Sequence, residues 1–182
     1  MNTKDVTHTA LSVAIFTLCS WLAVPIGDLS ITMQIFALCF LSAWLGPKKG
    51  LLTVVAYLLL GVVGVPVFSG FTGGVSRLLS PTGGFLIGFL CAAPLIGWWT
   101  NRNRENTKFP RAYVWVGMLL GVLVCYVVGI VWFWTWLPQN DFLAVLQIVF
   151  FPFLLPDLCK IALAVWLYEK LHVRWKKDQI PQ

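Results

Sequence analysis

An acid and a base lie within the last long apolar stretch of the sequence, at a spacing that can hold a polar ligand. Asp157 and Lys160 follow the apolar run 150–155 and precede the apolar run 161–167. If this stretch crosses a bilayer, each charge costs roughly 2.5–3.5 kcal/mol at the helix centre. Residues three apart on a helix share a face, so the two side chains can pair or hold a ligand between them. We therefore expect them to face protein or water rather than lipid.

The composition of the whole chain is that of an integral membrane protein. Of its 182 residues, 59% are hydrophobic and 11% are charged, whereas a soluble domain has about a quarter charged residues. No stretch is polar enough to form a separate soluble domain, so we read residues 1–182 as one membrane domain. The net charge of +6 would suggest nucleic-acid binding in a soluble protein. In a membrane protein, Lys and Arg gather in cytoplasmic loops instead, so no nucleic-acid partner is predicted.

Six apolar runs separated by turn residues predict an all-α bundle of six transmembrane helices. The runs are Ala10–Val24, Ile31–Leu45, Leu51–Val65, Phe85–Thr100, Ala112–Trp136 and Phe142–Leu171. Eleven of the thirteen Lys and Arg residues fall in the tails and in the loops on one side of such a bundle. This asymmetry predicts cytoplasmic N- and C-termini and an extracellular loop between the third and fourth helices. Pro152 and Pro156 are expected to kink the sixth helix and free carbonyl groups near Asp157.

The predicted extracellular loop, Val67–Gly84, is unusually long and rich in glycine. It contains the pairs Gly73-Gly74 and Gly83-Gly84, with Arg77 between them. A connection of this length is usually functional or disordered. Its Phe, Val and Leu residues favour a loop that folds back over the bundle as a glycine-hinged lid, and an unstructured loop is the alternative.

Enzymatic motifs are absent from the sequence. There is no HExxH, no GxxxxGK[ST] and no GxSxG pattern, and Asp157 is the only acid in the interior of a predicted span, since Glu169 lies at the very end of the sixth run. An aspartyl protease would need two carboxylates, and the chain has no ATP site with which to energise pumping. The five cysteines each fall in a different apolar run, without a CxxC or Cys/His cluster. Neither a metal site nor a disulfide is predicted.

The polar residues that remain favour a binding site for a small molecule with a polar head, an apolar body and a carboxylate. Asp157 can accept hydrogen bonds, Lys160 can donate them, and Arg77 can meet an anion. Glycines allow backbone N–H groups to approach a ligand; the other candidates for the site are Gly73, Gly74, Gly83, Gly84, Thr82, Phe71 and Phe85. Two other roles stay open for Asp157 and Lys160, a structural ion pair that fixes the helices and a proton relay through the acid.

Two motifs together resemble the BioY family, the biotin-binding S components of energy-coupling factor (ECF) transporters. They are Gly73-Gly74 followed by the stretch SPTGGFLIGF at residues 80–89, and Asp157-x-x-Lys160 in the last helix. The resemblance covers nearly the whole chain, including its size, its six spans and its long third loop. It implies a multi-pass protein of a prokaryotic plasma membrane that binds biotin from outside and needs no cofactor. The implied partners are a transmembrane T component and two cytoplasmic ATPases.

The resemblance also implies roles for particular residues. In related S components an AxxxA face of the first helix contacts the T component, and Ala10 and Ala14 fit this pattern; alone, they predict only close helix packing. Biotin would place its ureido ring at Asp157 and Lys160 and its carboxylate at Arg77 or at backbone amides of the loop. The reverse pose, with Lys160 on the carboxylate, is also open. The rival functions are a stand-alone carrier and an intramembrane enzyme.

Overall fold

Helices form most of the regular structure in the residues that the computed structural model describes, which are 3–26, 29–102, 111–136 and 142–179. The helices are α1 (Thr3–Trp21), α2 (Gln34–Leu45), α3 (Pro47–Val62), α4 (Val75–Leu78), α5 (Gly83–Arg102), α6 (Arg111–Trp136), α7 (Phe142–Val149) and α8 (Phe151–Gln179). Two strands, β1 (Ala23–Ile26) and β2 (Leu29–Thr32), lie between α1 and α2. Each of the six predicted apolar runs overlaps a helical segment, so the mostly helical fold is confirmed.

Three helical stretches are long and apolar enough to cross a bilayer. They are Gly83–Arg102, Arg111–Trp136 and Val145–His172. The apolar helices Val6–Trp21 and Gln34–Leu45 are shorter, whereas a helix perpendicular to the membrane needs about 20 residues to span it. Length and composition therefore support a membrane protein, and the number of six crossings stays a prediction.

A β-hairpin ends the first helix earlier, and begins the second helix later, than the apolar runs predict. β1 and β2 pair antiparallel, with Ala23 opposite Thr32. The predicted span Ala10–Val24 therefore stops being helical at Trp21, and the second helix begins only at Gln34. The strands are rich in β-branched residues, which favour extended backbone. Apolar content alone does not distinguish a short strand from the end of a helix.

The predicted sixth helix is broken at Phe150 into α7 and α8. Pro152 lies in the first turn of α8, where a missing N–H breaks no helical hydrogen bond. Pro156 lies further inside the helix, so the carbonyl group of residue 152 has no N–H partner four residues on. Asp157 follows directly. The expected kink is thus a break in the helix at Phe150. The expected free carbonyl group is that of residue 152, about one turn before Asp157.

Helices α5 and α6 pack closely because glycines line their contact. A Cβ atom on Gly88 would lie 3.0 Å from the carbonyl oxygen of Cys125, and one on Gly129 would overlap the ring of Phe85. Small residues allow backbones to approach in this way inside a bilayer. The contact brings the Phe85 ring against that of Tyr126, at 6.1 Å between centroids. These two rings form part of a cavity wall.

Candidate ligand-binding site

A cavity of about 120 Å³ lies between the hairpin, the loop that joins α3 to α5, and the helices α2, α5, α6, α7 and α8. Residues far apart in the sequence line it together: Ser30, Thr32, Gln34, Ile35, Phe68, Ser69, Arg77, Thr82, Phe85, Leu86, Phe89, Cys125, Tyr126, Val149, Phe153, Asp157 and Lys160. Mostly apolar walls with a few converging polar groups are typical of small-molecule sites.

Asp157 and Lys160 form a buried ion pair in the wall of this cavity. Lys160 Nζ lies 2.6 Å from Asp157 Oδ1, and the two residues are 5% and 7% exposed. They share a face of α8, as their spacing of three predicts, and that face is turned inward rather than towards lipid. A structural ion pair would have the same contact. The position of both groups in the cavity wall is what favours a role in ligand binding.

Tyr126 completes the surroundings of the acid and was missed by sequence reasoning. Its hydroxyl donates a hydrogen bond to Asp157 Oδ2 at 2.6 Å. Its ring meets that of Phe150 edge to face, with 5.3 Å between centroids. The carboxylate therefore has one charged and one neutral donor from the protein, and each of its oxygens keeps a lone pair for a ligand. A tyrosine within an apolar helix carries no sequence signal for this contact.

Gln34 brings a second set of polar atoms to the cavity from the beginning of α2. Its Nε2 donates to the Tyr57 hydroxyl at 2.8 Å and to Ser20 Oγ at 3.1 Å. Its Oε1 accepts from Thr32 Oγ1 at 2.9 Å. Thr32 and Ser30 reach the cavity because they lie on β2. Sequence reasoning missed these residues together with the hairpin that positions them.

Five of the ten predicted ligand-binding residues line the cavity, namely Asp157, Lys160, Arg77, Thr82 and Phe85. Arg77 belongs to the short helix α4 and forms no ion pair with an acid in the described part of the chain. Thr82 Oγ1 lies 3.1 Å from Ser80 Oγ, and the Ser80 hydroxyl also lies 2.7 Å from the Arg77 carbonyl oxygen. The loop thus contributes one cation, Arg77, and the hydroxyl residues Ser69 and Thr82 to the cavity lining.

The other five predicted ligand-binding residues lie outside the cavity lining: Gly73, Gly74, Gly83, Gly84 and Phe71. A Cβ atom on Gly83 would overlap the carbonyl group of Leu78, and one on Gly84 would overlap the side chain of Trp132. A Cβ atom on Gly73 would lie 2.5 Å from the Val65 carbonyl oxygen. These three glycines let neighbouring segments pack closely. A contact of any of the five with a ligand stays a prediction.

The loop between α3 and α5 is folded back onto the bundle, as its apolar residues predict. The Gly74 N–H donates to the Gly61 carbonyl oxygen at 2.7 Å, and Trp21 Nε1 donates to the Pro66 carbonyl oxygen at 2.9 Å. Gly74 has a φ of +97°, and Phe71 has a φ of +56°. Phe71 is 64% exposed, and its ring lies 4.9 Å from that of Trp21. The alternative of an unstructured loop is not what the structure contains.

Ala10 and Ala14, the predicted partner-binding residues, are both exposed on α1. The same face carries the exposed side chains of Leu11 and Leu18, whereas Phe16 is buried against the bundle. The outer face of α1 is therefore free to meet lipid or another helix. Contact with a T component stays a prediction.

Sequence comparisons relate the chain to biotin transporters over almost its whole length. A model of the BioY family matches residues 1–177. The chain is 36% identical over 172 residues to a probable biotin transporter BioY of Pyrococcus horikoshii, covering 94% of this chain and 98% of that protein. It is 34% identical over 161 residues to the biotin transporter BioY2 of Lactococcus lactis subsp. cremoris, covering 87% and 86%.

A comparison of folds also relates the chain to a biotin-binding protein. The structure matches a crystal structure at 2.1 Å of the S-component for biotin from an ECF-type ABC transporter, with a TM-score of 0.82 and 29% sequence identity. The match covers 94% of each chain. The arrangement of helices that surrounds the cavity is therefore that of an S component.

Proposed function

The chain belongs to the BioY family, and from this premise we propose that it is the substrate-binding membrane subunit of a biotin uptake system. It captures biotin from outside the cell and delivers it through an ECF-type ABC transporter. It binds and transports the vitamin without changing it chemically and without a cofactor. The observation that carries this proposal is the buried Asp157–Lys160 pair, which shares one cavity with Arg77.

The groups in the cavity match the chemistry of biotin. Asp157 accepts hydrogen bonds from the ureido N–H groups, and Lys160 donates to the ureido oxygen or orients the acid. Phe85 and the neighbouring apolar residues pack against the sulfur ring and the valeryl chain. Arg77 meets the carboxylate, and hydrogen bonds between charged groups are the strong ones in such a site. In the reverse pose, Lys160 would meet the carboxylate.

Titration of the detergent-purified protein with biotin and with biotin methyl ester tests the function. Calorimetry should give one biotin per chain, and the ester should bind about 10- to 100-fold more weakly because it lacks the charge that Arg77 or Lys160 would meet. Absence of heat with both ligands, in protein that remains folded, would contradict the proposal. Equal affinity for both would mean that the carboxylate is not recognised.

In the membrane, we infer six crossings, formed by α1, α2, α3, α5, α6 and the α7–α8 pair, with both termini in the cytoplasm. Lys48 and Lys49 at the start of α3 and Arg102 at the end of α5 support this orientation. Intact cells and a membrane-impermeant thiol reagent test it. A cysteine at the exposed residue Thr72 should react from outside, and one at the exposed residue Lys48 should react only after the cells are permeabilised. The opposite pattern would invert the topology.

Energy for uptake comes from partners, a T component and two cytoplasmic ATPases, and the exposed Ala10/Ala14 face of α1 is the contact that we infer for the T component. Replacing both alanines with leucine should weaken co-purification with the partner subunits while biotin binding stays unchanged. Sealed vesicles separate this role from that of a stand-alone carrier. Vesicles with this subunit alone should not accumulate biotin under a proton gradient, and vesicles with the partners and ATP should.

A further inference from the structure

A buried hydrogen-bond network behind the cavity joins two of its walls. Tyr57 on α3 is fully buried and does not line the cavity. Its hydroxyl oxygen lies 2.8 Å from Gln34 Nε2 and 3.0 Å from the Val67 carbonyl oxygen. Gln34 belongs to the α2 wall, and Val67 directly precedes Phe68 and Ser69 in the loop wall. One side chain thus holds both walls.

The direction of these hydrogen bonds follows from the donors and acceptors involved. Ser20 Oγ also lies 3.0 Å from the phenol oxygen. A phenol has one proton and a carbonyl oxygen can only accept, whereas the Ser20 hydroxyl can also donate. All three contacts are therefore satisfied when Tyr57 donates its proton to Val67 and Ser20 donates to the phenol oxygen. The phenol oxygen then serves as the acceptor, so the Gln34 atom that lies 2.8 Å away must be the N–H-bearing Nε2. The second N–H of this amide points to Ser20 Oγ at 3.1 Å. Both amide protons of Gln34 are therefore used within the protein.

The remaining capacity of Gln34 is that of an acceptor. Its Oε1 already accepts from the Thr32 hydroxyl at 2.9 Å, and a carbonyl oxygen of an amide has a second lone pair. Rotation of the amide by half a turn would exchange Oε1 and Nε2. Oε1 would then face Ser20 and Tyr57, and the two hydrogen bonds that Nε2 donates to them would be lost. The network thus fixes which end of the Gln34 amide is available beside the cavity.

Packing keeps the Tyr57 hydroxyl where these bonds need it. The Tyr57 ring lies 4.6 Å from that of Phe16 and 5.5 Å from that of Phe68, measured between centroids. Phe68 is itself buried, and its ring occupies the space that a side chain at Gly61 would fill. Phe68 lines the cavity as well. Movement of the loop wall away from the cavity therefore requires both this packing and the Tyr57–Val67 bond to break.

We propose that Tyr57 is a positioning residue, which latches the loop segment Val67–Ser69 over the cavity and orients the Gln34 amide as an acceptor towards the ligand. The effect on ligand release rests on the proposed binding of biotin, and the latch itself does not. Opening of the loop breaks the Tyr57–Val67 hydrogen bond and uncovers the buried Phe68 ring, and both changes are unfavourable. The network therefore slows the opening through which a bound ligand leaves.

Tyr57→Phe tests the latch, with Thr53→Val as its matched control. The phenylalanine keeps the ring and removes the proton given to Val67. Thr53 is a buried hydroxyl residue one turn earlier on the same helix, and among the described residues its hydroxyl bonds only to the Lys49 carbonyl oxygen of its own helix, at 2.9 Å. In stopped-flow measurements, biotin should dissociate about tenfold faster from Tyr57→Phe and associate at an unchanged rate. Thr53→Val should release biotin at the wild-type rate.

A double variant tests whether Tyr57 and Gln34 act as one unit. Gln34→Met removes the amide and nearly preserves its length. If the network is one unit, Tyr57→Phe combined with Gln34→Met should release biotin only about as fast as the faster single variant. Fully multiplicative rates, or an unchanged rate in Tyr57→Phe, would overturn the proposal.

Hydrogen exchange in the ligand-free protein separates the latch from the binding of biotin. Amides of residues 67–72 should exchange about tenfold faster in Tyr57→Phe than in Thr53→Val, and Gln34→Met should accelerate the same segment if Tyr57→Phe does not fold. Faster exchange in protein that binds no biotin would support the latch and contradict the proposed function. Unchanged exchange in protein that binds biotin normally would overturn the latch alone.

Discussion

Tyr126 and Asp157 meet at 2.6 Å between α6 and α8, with the tyrosine hydroxyl donating to Asp157 Oδ2. Lys160 occupies the other carboxylate oxygen at the same distance. The acid is therefore held in one orientation by two donors from different helices, and both donors lie in the cavity wall. A carboxylate that is fixed in this way loses little freedom when a ligand binds, which favours affinity and selectivity for ligands with N–H donors.

Tyr126→Phe should lower biotin affinity without unfolding the protein. The ring keeps its edge-to-face contacts with Phe85 and Phe150, but Asp157 loses its neutral donor. We expect affinity to fall about tenfold, the effect of one hydrogen bond to a charged group, as measured by calorimetry. Thr100→Val is the control, because the bonds of this buried hydroxyl in the described part of the chain go to carbonyl oxygens of α5 itself. Equal losses in both variants would point to a general change in stability.

The Asp157–Lys160 pair allows binding to be separated from stability. Asp157→Asn should reduce thermal stability as well as biotin affinity, since it leaves Lys160 buried without a counter-charge, and breaking such a pair costs about 3–5 kcal/mol. Adding Lys160→Met removes the unpaired charge and should restore the melting temperature. Biotin affinity should not recover. If the double variant binds biotin as tightly as the wild type, the pair is structural only.

The polar pair and its helix could be predicted from sequence because both are local features. Charges at positions i and i+3 within an apolar run must share one face, and lipid is a costly neighbour for that face. Arg77 was also identifiable, as a single cation in a loop between glycine pairs. Their meeting in one cavity depends on how distant segments pack in three dimensions, which the local pattern of residues does not determine.

The contacts that sequence reasoning missed are those between residues distant in the chain. Tyr126 and Gln34 lie within apolar runs, and nothing in the alternation of apolar residues distinguishes them. The hairpin that brings Ser30 to the cavity has the same apolar character as the helix ends beside it. A pattern of hydrophobicity reports burial, and it contains no information about which buried groups meet.

The loop glycines illustrate a second limit. A glycine pair is compatible with a hinge, with contact to a ligand, or with close packing of the chain against itself. Gly83 and Gly84 lie against Leu78 and Trp132, so Gly83→Val is expected to disturb the loop itself. A Cβ atom on Gly74 would meet Ser76 Oγ at an ordinary contact distance of 3.6 Å, but its φ of +97° disfavours any side chain. Gly83 therefore occupies a packing position, and a hinge at Gly74 stays a prediction.

Arg77→Gln should weaken biotin binding far more than binding of the methyl ester. If the guanidinium meets the carboxylate, its removal should lower biotin affinity about 10- to 100-fold and leave the ester nearly unaffected. Lys48→Gln is the control. It removes a positive charge at the start of α3, outside the cavity lining, and should change neither affinity. Loss of the difference between biotin and its ester in Lys160→Met rather than in Arg77→Gln would establish the reverse pose.

Gly129→Ala should lower biotin affinity by moving a cavity wall. A methyl group on Gly129 would overlap the Phe85 ring, which lines the cavity, so the ring must shift. Gly121 is the matched control, because it lies on the same helix and a methyl group there would overlap Ile96, which is not part of the cavity lining. Overpacking of either position should cost about 1–3 kcal/mol of stability, measured by thermal unfolding in detergent. Only Gly129→Ala should weaken biotin binding in calorimetry, and an equal loss of affinity in Gly121→Ala would contradict a specific role of the Phe85 wall.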